Sequence, residues 1–418
     1  NREQLVWKTI HADNTEEIKE YDANECVIME KDRCGSTIYR TYDENGSILS
    51  EELPSGLKTQ YSYDKKGMLV TVSDNMGRVT RYKKNAQGII LCRREQIEQD
   101  VWAECGYTYD SHGRLLSETD ANGNTKTWKY ETLFRHPTQY SDSEGNEIHY
   151  SLNELGRNMA TASARGNIEY AYNALGFITA VTDEEGNTTR YRYDVTGNKV
   201  ALIRPEQVKS GEYAAETYQY DAMDHLVGVT DELGNVRAVH VNSDGKLTKL
   251  INPDCYDADK KDGEGITFHY DTDGNRTDIC YPTGGTKKYL YDACGRITKE
   301  INAEEYEQDG ADGAGQSYEY DSAGRLVQVT DTLGNVKKRY VYDMAGRVIK
   351  EIGSKGYGTA ECDEDRAGVI YRYNLAGWVT EQRTPVETDD AQEVKYRLVK
   401  YAYDRCGNLT EEKRYLDP

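Results

Sequence analysis

The chain has 418 residues, a net charge of −21, and 35 Tyr against 3 Phe and 4 Trp. Its isoelectric point near 4.9 argues against a reader of DNA, RNA or an anionic membrane surface, all of which reward clustered Lys and Arg. No apolar run reaches the roughly 18 residues of a membrane-spanning helix, and the Tyr, Val, Ile and Thr between Gly-rich turns exclude disorder despite a mean hydropathy of −0.85.

Along the chain, a Tyr-Asp-x-x-Gly motif stands first at residues 42–46. It returns at 63–67, 109–113, 193–197, 270–274, 291–295, 320–324, 342–346 and 403–407. Gly lies four positions after the Tyr, a second turn Gly ten later, and the next Tyr seven after that, a period of 21. Degenerate copies carry Lys84, Leu152 or Val241 for Tyr, and Asn85, Asn153, Asn173, Asn242 or Asn374 for Asp. Counting these, about 17 units cover residues 1–418 as one array. Self-similarity at a fixed period means that neighbouring units stack to make the core.

Each unit reads as two strands and two turns. The first strand carries Tyr-x-Tyr, as at Tyr61 and Tyr63, Tyr107 and Tyr109, Tyr318 and Tyr320, and Tyr401 and Tyr403. Period two puts both rings on one face, where each is expected to stack on the ring of the next strand while its hydroxyl finds water or a backbone group. The first turn needs Asp to hydrogen-bond the turn backbone and Gly to take a left-handed conformation in a type I turn with a bulge. The structural turn residues are therefore Asp43 and Gly46, Asp64 and Gly67, Asp110 and Gly113, Asp194 and Gly197, Asp321 and Gly324, Asp343 and Gly346, and Asp404 and Gly407. A second strand follows, as at residues 325–330, and ends in a similar turn at 331–334. The fold class is all-β: a long antiparallel hairpin meander. About 34 strands at roughly 4.8 Å spacing make a ribbon about 160 Å wide, which twist coils into a spiral, shell-like array. Acidic insertions near 204–216, 253–265, 303–316, 353–368 and 385–395 fall between the second strand of one unit and the first strand of the next. They are expected mostly along one rim.

The residues Tyr63-Asp64-x-x-Gly67, and the run from Tyr318 to Leu326 followed by Val-Thr-Asp at 329–331, resemble the YD repeats of bacterial Rhs proteins. The same repeats occur in the shell components of Tc toxins and in the YD shell of teneurins. The resemblance spans nearly the whole chain. It implies a β-strand spiral around a hollow shell, which encloses a C-terminal toxin domain in Rhs and Tc proteins and serves adhesion in teneurins. The chain is accordingly read as a structural segment of such a shell in a larger bacterial protein, secreted or at the cell surface and without enzymatic activity of its own. Its partner would be the parent protein's toxin domain or a shell-completing segment. A cell-surface or secreted module binding glycan or protein is the alternative. Carrying no self-cleavage motif beyond Asp417-Pro418 and starting at Asn1, the chain is expected to be an internal piece of its parent.

No catalytic, cofactor-binding or metal-binding residue is assigned. Asp271-Thr272-Asp273-Gly274-Asn275 has Gly at position four, not the position six of a calcium loop, and reads as turn chemistry. Asp257, Asp259 and Asp262, Asp309 and Asp312, and Asp363, Glu364 and Asp365 read as solvated insertions. None of the seven His pairs with Cys or His at ligand spacing, and the nine Cys show no C-x-x-C pair. The Tyr rows invite sugar stacking, but their period favours structural ladders, and Trp7, Trp102, Trp128 and Trp378 share no common place in the unit.

Overall fold

A computed structural model describes residues 5–11, 15–33, 35–206, 215–304, 314–354, 367–386 and 395–416. Thirty-five strands belong to one antiparallel sheet, and a two-stranded ribbon stands apart. Strands pair with their neighbours in sequence: Thr37–Tyr42 with Ile48–Glu52, then Lys58–Tyr63, then Leu69–Asp74. The fold is the all-β meander that alternation of short Tyr- and Val-rich strands dictates. Lys58–Tyr63 alternates exposed and half-buried residues, so Thr59, Tyr61 and Tyr63 share the covered face.

The anchor Tyr lies at a bulge. Register slips between Thr41 and Tyr42, between Ser62 and Tyr63, between Glu319 and Tyr320, and between Ala402 and Tyr403. The cause is the turn beyond it. Gly46 has φ of 80° and its N–H donates to the Asp43 carbonyl at 3.1 Å. The Asp43 N–H returns a 2.9 Å bond to the Ser47 carbonyl. A three-residue connection with a left-handed fourth residue leaves one strand a residue longer, which is the bulge. Glu25 and Asp224 take the same place with φ of 67° and 63°, in turns that lack Gly. One unit departs further. Where an anchor turn is expected after Tyr130, residues 131–138 form an irregular excursion before the short strand Gln139–Ser141.

The core is thin. Its only fully buried large side chains among the described residues are Ile251, Ile301 and Ile352. Together with the buried Ile203 they occupy one position, the end of a second strand just before an insertion. The chain returns over them so closely that a Cβ on Gly265, Gly315 or Gly368 would meet a strand carbonyl at 2.4–2.6 Å. The 253–265 insertion makes a short 3-10 turn, Pro253–Cys255, and the separate ribbon of Tyr256–Asp257 with Asp262–Gly263. Residues 207–214, 305–313, 355–366 and 387–394 of the other insertions lie outside the described residues. The last insertion is narrower than expected, because Pro385 and Val386 pair with Tyr396 and Lys395 and so belong to strands.

Contacts group the chain into two compact units: residues 1–125, 271–275 and 289–418, and residues 126–270 with 276–288. Within the first unit, second turns of its leading segment dock on first turns of its trailing segment. The Ser36 hydroxyl donates to the Ala293 carbonyl, and the Ser55 hydroxyl to the Ser322 carbonyl at 2.7 Å. The Ser322 hydroxyl sits 3.0 Å from Met76 Sδ, and the Ala376 N–H donates to Asn122 Oδ1 at 3.3 Å. These partners are 246 to 267 residues apart. Small first-turn centres such as Ala293, Ser322 and Ala376 permit that edge-to-edge approach.

Candidate functional site

The chemistry of the chain concentrates at its first turns. The Asp side chain serves as a fixed acceptor. Asp64 Oδ1 takes the Lys66 and Met68 N–H groups at 2.8 and 2.9 Å, and Asp43 takes those of Asn45 and Ser47, both at 2.9 Å. Asp110, Asp194, Asp321, Asp343 and Asp404 each bind the N–H four residues on, at 2.8–2.9 Å. Charge-assisted bonds favour the ionised form. The Ser47 amide holds the Asp43 carboxyl below its ordinary range, and the Met68 amide does so for Asp64. The Thr196 hydroxyl depresses Asp194, and the Asn408 side chain depresses Asp404. Gly46, Gly67, Gly113, Gly197, Gly324, Gly346 and Gly407 all have positive φ, from 75° at Gly67 to 100° at Gly197.

The anchor Tyr reaches back to the preceding unit. Tyr42 donates to the Val27 carbonyl at 2.8 Å, Tyr63 to Ile48 at 2.8 Å, Tyr193 to Ile178 at 2.9 Å. Tyr320 donates to Ile297 at 2.8 Å, Tyr342 to Leu326 at 2.6 Å, Tyr373 to Val348 at 2.7 Å and Tyr403 to Val379 at 2.8 Å. Each acceptor lies two residues past the left-handed residue of the previous turn, Glu25 for Val27 and Gly for the others. Burial pushes these phenols up from their usual value, as at Tyr63, Tyr193 and Tyr403, so they remain donors.

The ring of the anchor Tyr meets the side chain that follows the previous turn Gly, where the sequence reading expected the ring of the next strand. Arg296 lies over Tyr320 at 4.8 Å, Arg325 over Tyr342 at 4.6 Å and Arg347 over Tyr373 at 4.7 Å. Phe177 stacks on Tyr193 at 5.0 Å, and Trp378 meets Tyr403 at 5.5 Å. Each of these arginines also pairs with its own turn Asp at 2.6–2.7 Å and donates to a carbonyl of the next turn at 3.1–3.3 Å. The same side chains explain a second demand for Gly. A Cβ on Gly197 would lie 2.7 Å from the Phe177 ring, on Gly176 2.6 Å from Arg157, and on Gly245 2.7 Å from His225. The sequence reading gave the residue after the Gly no role. The signal was the motif itself, since the partner lies one repeat away.

The described acidic groups singled out in the sequence are engaged locally. Asp271 accepts from the amides of Asp273 and Asn275 at 3.0 and 2.8 Å, as a turn residue does. Asp262 pairs with Lys249 at 2.9 Å, and Asp257 with Lys260 at 2.8 Å. Asp309, Asp312, Asp363, Glu364 and Asp365 lie outside the described residues. Among the described residues no group of His, Cys, Asp or Glu could hold a metal ion. A cleft of about 340 Å³ opens beneath the 253–263 excursion, lined by Gln219, Asp221, His240, Tyr256 and Lys261. Asp221 is already bound to His225 and to the Met223 amide, and His240 faces Asp262 at 3.5 Å.

Comparison with known proteins matches this geometry. The RHS Repeat family model matches residues 42–79, 109–147 and 172–209, and the Teneurin YD-shell model matches 242–360. A tRNA3(Ser)-specific nuclease, WapA of Bacillus spizizenii, is 27% identical over 114 residues, which is 27% of this chain and 5% of WapA. The fold is similar to the crystal structure of TcdB2-TccC3-Cdc42, with a TM-score of 0.55 at 14% identity over 96% of this chain and 23% of that one. TcdB2-TccC3 without its hypervariable C-terminal region gives 0.56 at 12% identity, over 96% and 24%. The Photorhabdus luminescens Tc holotoxin pore gives 0.54 at 14% identity, over 96% and 23%. The chain thus spans about a quarter of those structures and a small part of WapA. With the repeating Tyr-Asp turn, the bulge it imposes and both family matches in place, the chain belongs to the YD/Rhs-repeat family.

Proposed function

We propose that the chain is a wall segment, a structural part of a larger bacterial protein whose YD repeats enclose or present a toxin domain, and that it has no catalytic activity of its own. The observation that carries this reading is the clasp of Tyr hydroxyl, turn Asp and post-glycine side chain. It recurs from Tyr42 to Tyr403 and serves only to join one unit to the next. That uniformity also favours one array over residues 1–418. A secreted or cell-surface location follows from the same reading, and the structural likeness to a Tc holotoxin supports it at the level of fold. The nuclease named among the relatives aligns over too little of its length to lend its activity.

The test is protease protection in the parent protein. A domain encoded beyond the repeats should resist added protease while the wall is intact and become cleavable when several anchor Tyr are changed to Ala. A parent with no further domain, or one cleaved equally in both states, defeats the proposal. The match to a teneurin shell over residues 242–360 favours adhesion as the second reading. Binding of the purified chain on a glycan array or to a cell-surface protein would move the assignment there.

A further inference from the structure

Inside the ribbon, neighbouring strands are joined by ladders: Lys58–Tyr63 meets Leu69–Asp74 through five residue pairs. The seam between the leading and trailing segments of the first unit is made instead by single bonds between turns. Ser322 carries two of them. Its carbonyl accepts from the Ser55 hydroxyl at 2.7 Å, and its own hydroxyl donates to Met76 Sδ at 3.0 Å. One residue of a first turn thus holds two successive second turns.

Two methionines sit in this seam. Met76 is at the centre of the second turn 74–77 and Met344 at the centre of the first turn 343–346, and both are half-buried. Met344 Cε lies 3.6 Å from the place a Cβ on Gly77 would take. The turns therefore interlock: Met76 reaches Ser322, and Met344 reaches the turn that carries Met76. Met344 also lines two cavities, one of about 250 Å³ beside Asp74 and Arg78, the other of about 650 Å³ beside Ile97, Val101 and Leu375. A small solute has room to reach its thioether. Met223, by contrast, stands at an exposed turn centre of the second unit, outside the seam.

We propose that Met76 and Met344 are oxidative modification sites that make the seam responsive to peroxides: conversion of their thioethers to sulfoxides undocks the 74–77 turn from the first turns at 321–324 and 343–346. A sulfur lone pair attacks one peroxide oxygen, the S–O bond forms as the O–O bond breaks, and hydrogen peroxide leaves as water while the sulfur is oxidised by two electrons. A thioether is flexible, apolar and fills irregular gaps, whereas a sulfoxide is polar and larger. At Met76 an oxygen on the lone pair that faces Ser322 has to enter between atoms now 3.0 Å apart. An oxygen on the other lone pair leaves an electron-poor sulfur toward the hydroxyl. Both epimers weaken the bond. At Met344 the new dipole is set against the turn at Gly77. The strand ladders contain neither contact, so the change is confined to the seam and is undone by reduction.

The Ala376 amide reports on the seam, because it donates across it to Asn122 Oδ1 at 3.3 Å. After hydrogen peroxide, peptide mass spectrometry of the purified chain should find one added oxygen on Met76 and one on Met344. Hydrogen exchange at Ala376 should then quicken about three- to tenfold, the range for loss of one or two weak bonds. The Asn187 and Asn198 amides, bound to Asp183 and Asp194 in turns of the second unit, should keep their rates. Methionine sulfoxide reductases of both stereospecificities should restore the Ala376 rate, which separates the methionines from the nine cysteines. The double variant Met76→Leu with Met344→Leu, close in volume, should stay slow after the same treatment although Met223 is oxidised in it as before. An unchanged Ala376 rate with both sulfoxides formed overturns the proposal. So does resistance of both methionines to peroxide that fully converts Met223, or an equal quickening in the leucine variant.

Discussion

Gly in a first turn answers two demands, and a pair of substitutions separates them. Gly186, in a second turn, has φ of 82° and open space where a Cβ would go. Gly186→Ala therefore costs only the left-handed conformation, about 1–2 kcal/mol. Gly197, in a first turn, has φ of 100°, and its added Cβ would lie 2.7 Å from the Phe177 ring. The ring must swing away and lose its stack on Tyr193, a further 0.5–1.5 kcal/mol or so. Gly197→Ala should thus cost about 2–3 kcal/mol. In a Phe177→Ala background the excess over Gly186→Ala should shrink toward zero, the mark of two residues that share one interaction. Urea unfolding followed by circular dichroism reads the totals. Hydrogen exchange at the Asn198 and Asn187 amides localises them, which matters because a repeat array need not unfold in one step. Equal costs at the two glycines, or an excess that survives removal of the Phe177 ring, would refute the clasp as the reason for the first-turn Gly.

Gly324→Val, at φ of 81°, should destabilise by at least about 1 kcal/mol because a β-branched residue resists that region, read as a lower melting midpoint. Glu25→Gly should do the reverse: Glu25 holds φ of 67° where sister turns have Gly, and relief of that strain, less the entropy of a glycine, leaves a gain of about 0.5–1 kcal/mol in urea unfolding. Acid should loosen the array through its turns. The carboxyls of Asp43, Asp64, Asp194 and Asp404 are depressed when folded, so their contribution is full above the unfolded carboxylate value near 3.9 and is lost as pH falls through the folded values. The melting midpoint should be flat from pH 7 to about 5 and fall below about 4, and Asp64→Asn should flatten that fall.

The hairpin, its turn and its covered Tyr face were legible in the sequence because each is local. Asp at one position and Gly three later specify the turn, and Tyr two apart specify the face. The clasp was half legible. Arg after the Gly is visible at Arg296, Arg325 and Arg347, but its ring partner is one repeat away, beyond the reach of a turn rule. The buried row of Ile203, Ile251, Ile301 and Ile352 went unread, although each precedes an insertion and one falls in every second unit. The contacts of Ser36 with Ala293 and of Ser55 with Ser322 join residues 257 and 267 apart, and no local pattern encodes them. Their one trace is compositional, in the small, uncharged first-turn centres Ala293-Cys294 and Ser322-Ala323.

The two edges divide the labour of the wall. The first-turn edge holds the Tyr hydroxyl, the Asp acceptor and the post-glycine side chain, so its spacing is constrained by three contacts per unit. The second-turn edge keeps a turn Asp, as where Asp331 accepts the Leu333 and Asn335 amides at 3.0 and 2.8 Å, but lacks the Tyr hydroxyl that ties one unit to the next, and the insertions after Ile203, Ile251, Ile301 and Ile352 all fall there. The excursion at 131–138 is the departure on the first-turn edge, and there Phe134 closes over Gly156 in place of an ordinary clasp. This asymmetry can be tested by adding the same six-residue Gly-Ser loop at each edge. Between Thr332 and Leu333 the added length costs loop entropy and the exposed turn bonds of Asp331, about 1–2 kcal/mol, but breaks no contact with the next unit. Between Ser322 and Ala323 it separates Asp321 from Gly324, whose turn bond is 3.0 Å, and frees Arg325 from its 2.6 Å pair with Asp321. The second insertion should cost about 3 kcal/mol or more from the turn and the charge-assisted bonds together. Equal melting midpoints for the two would show that the edges are interchangeable and that the clasp does not hold the wall.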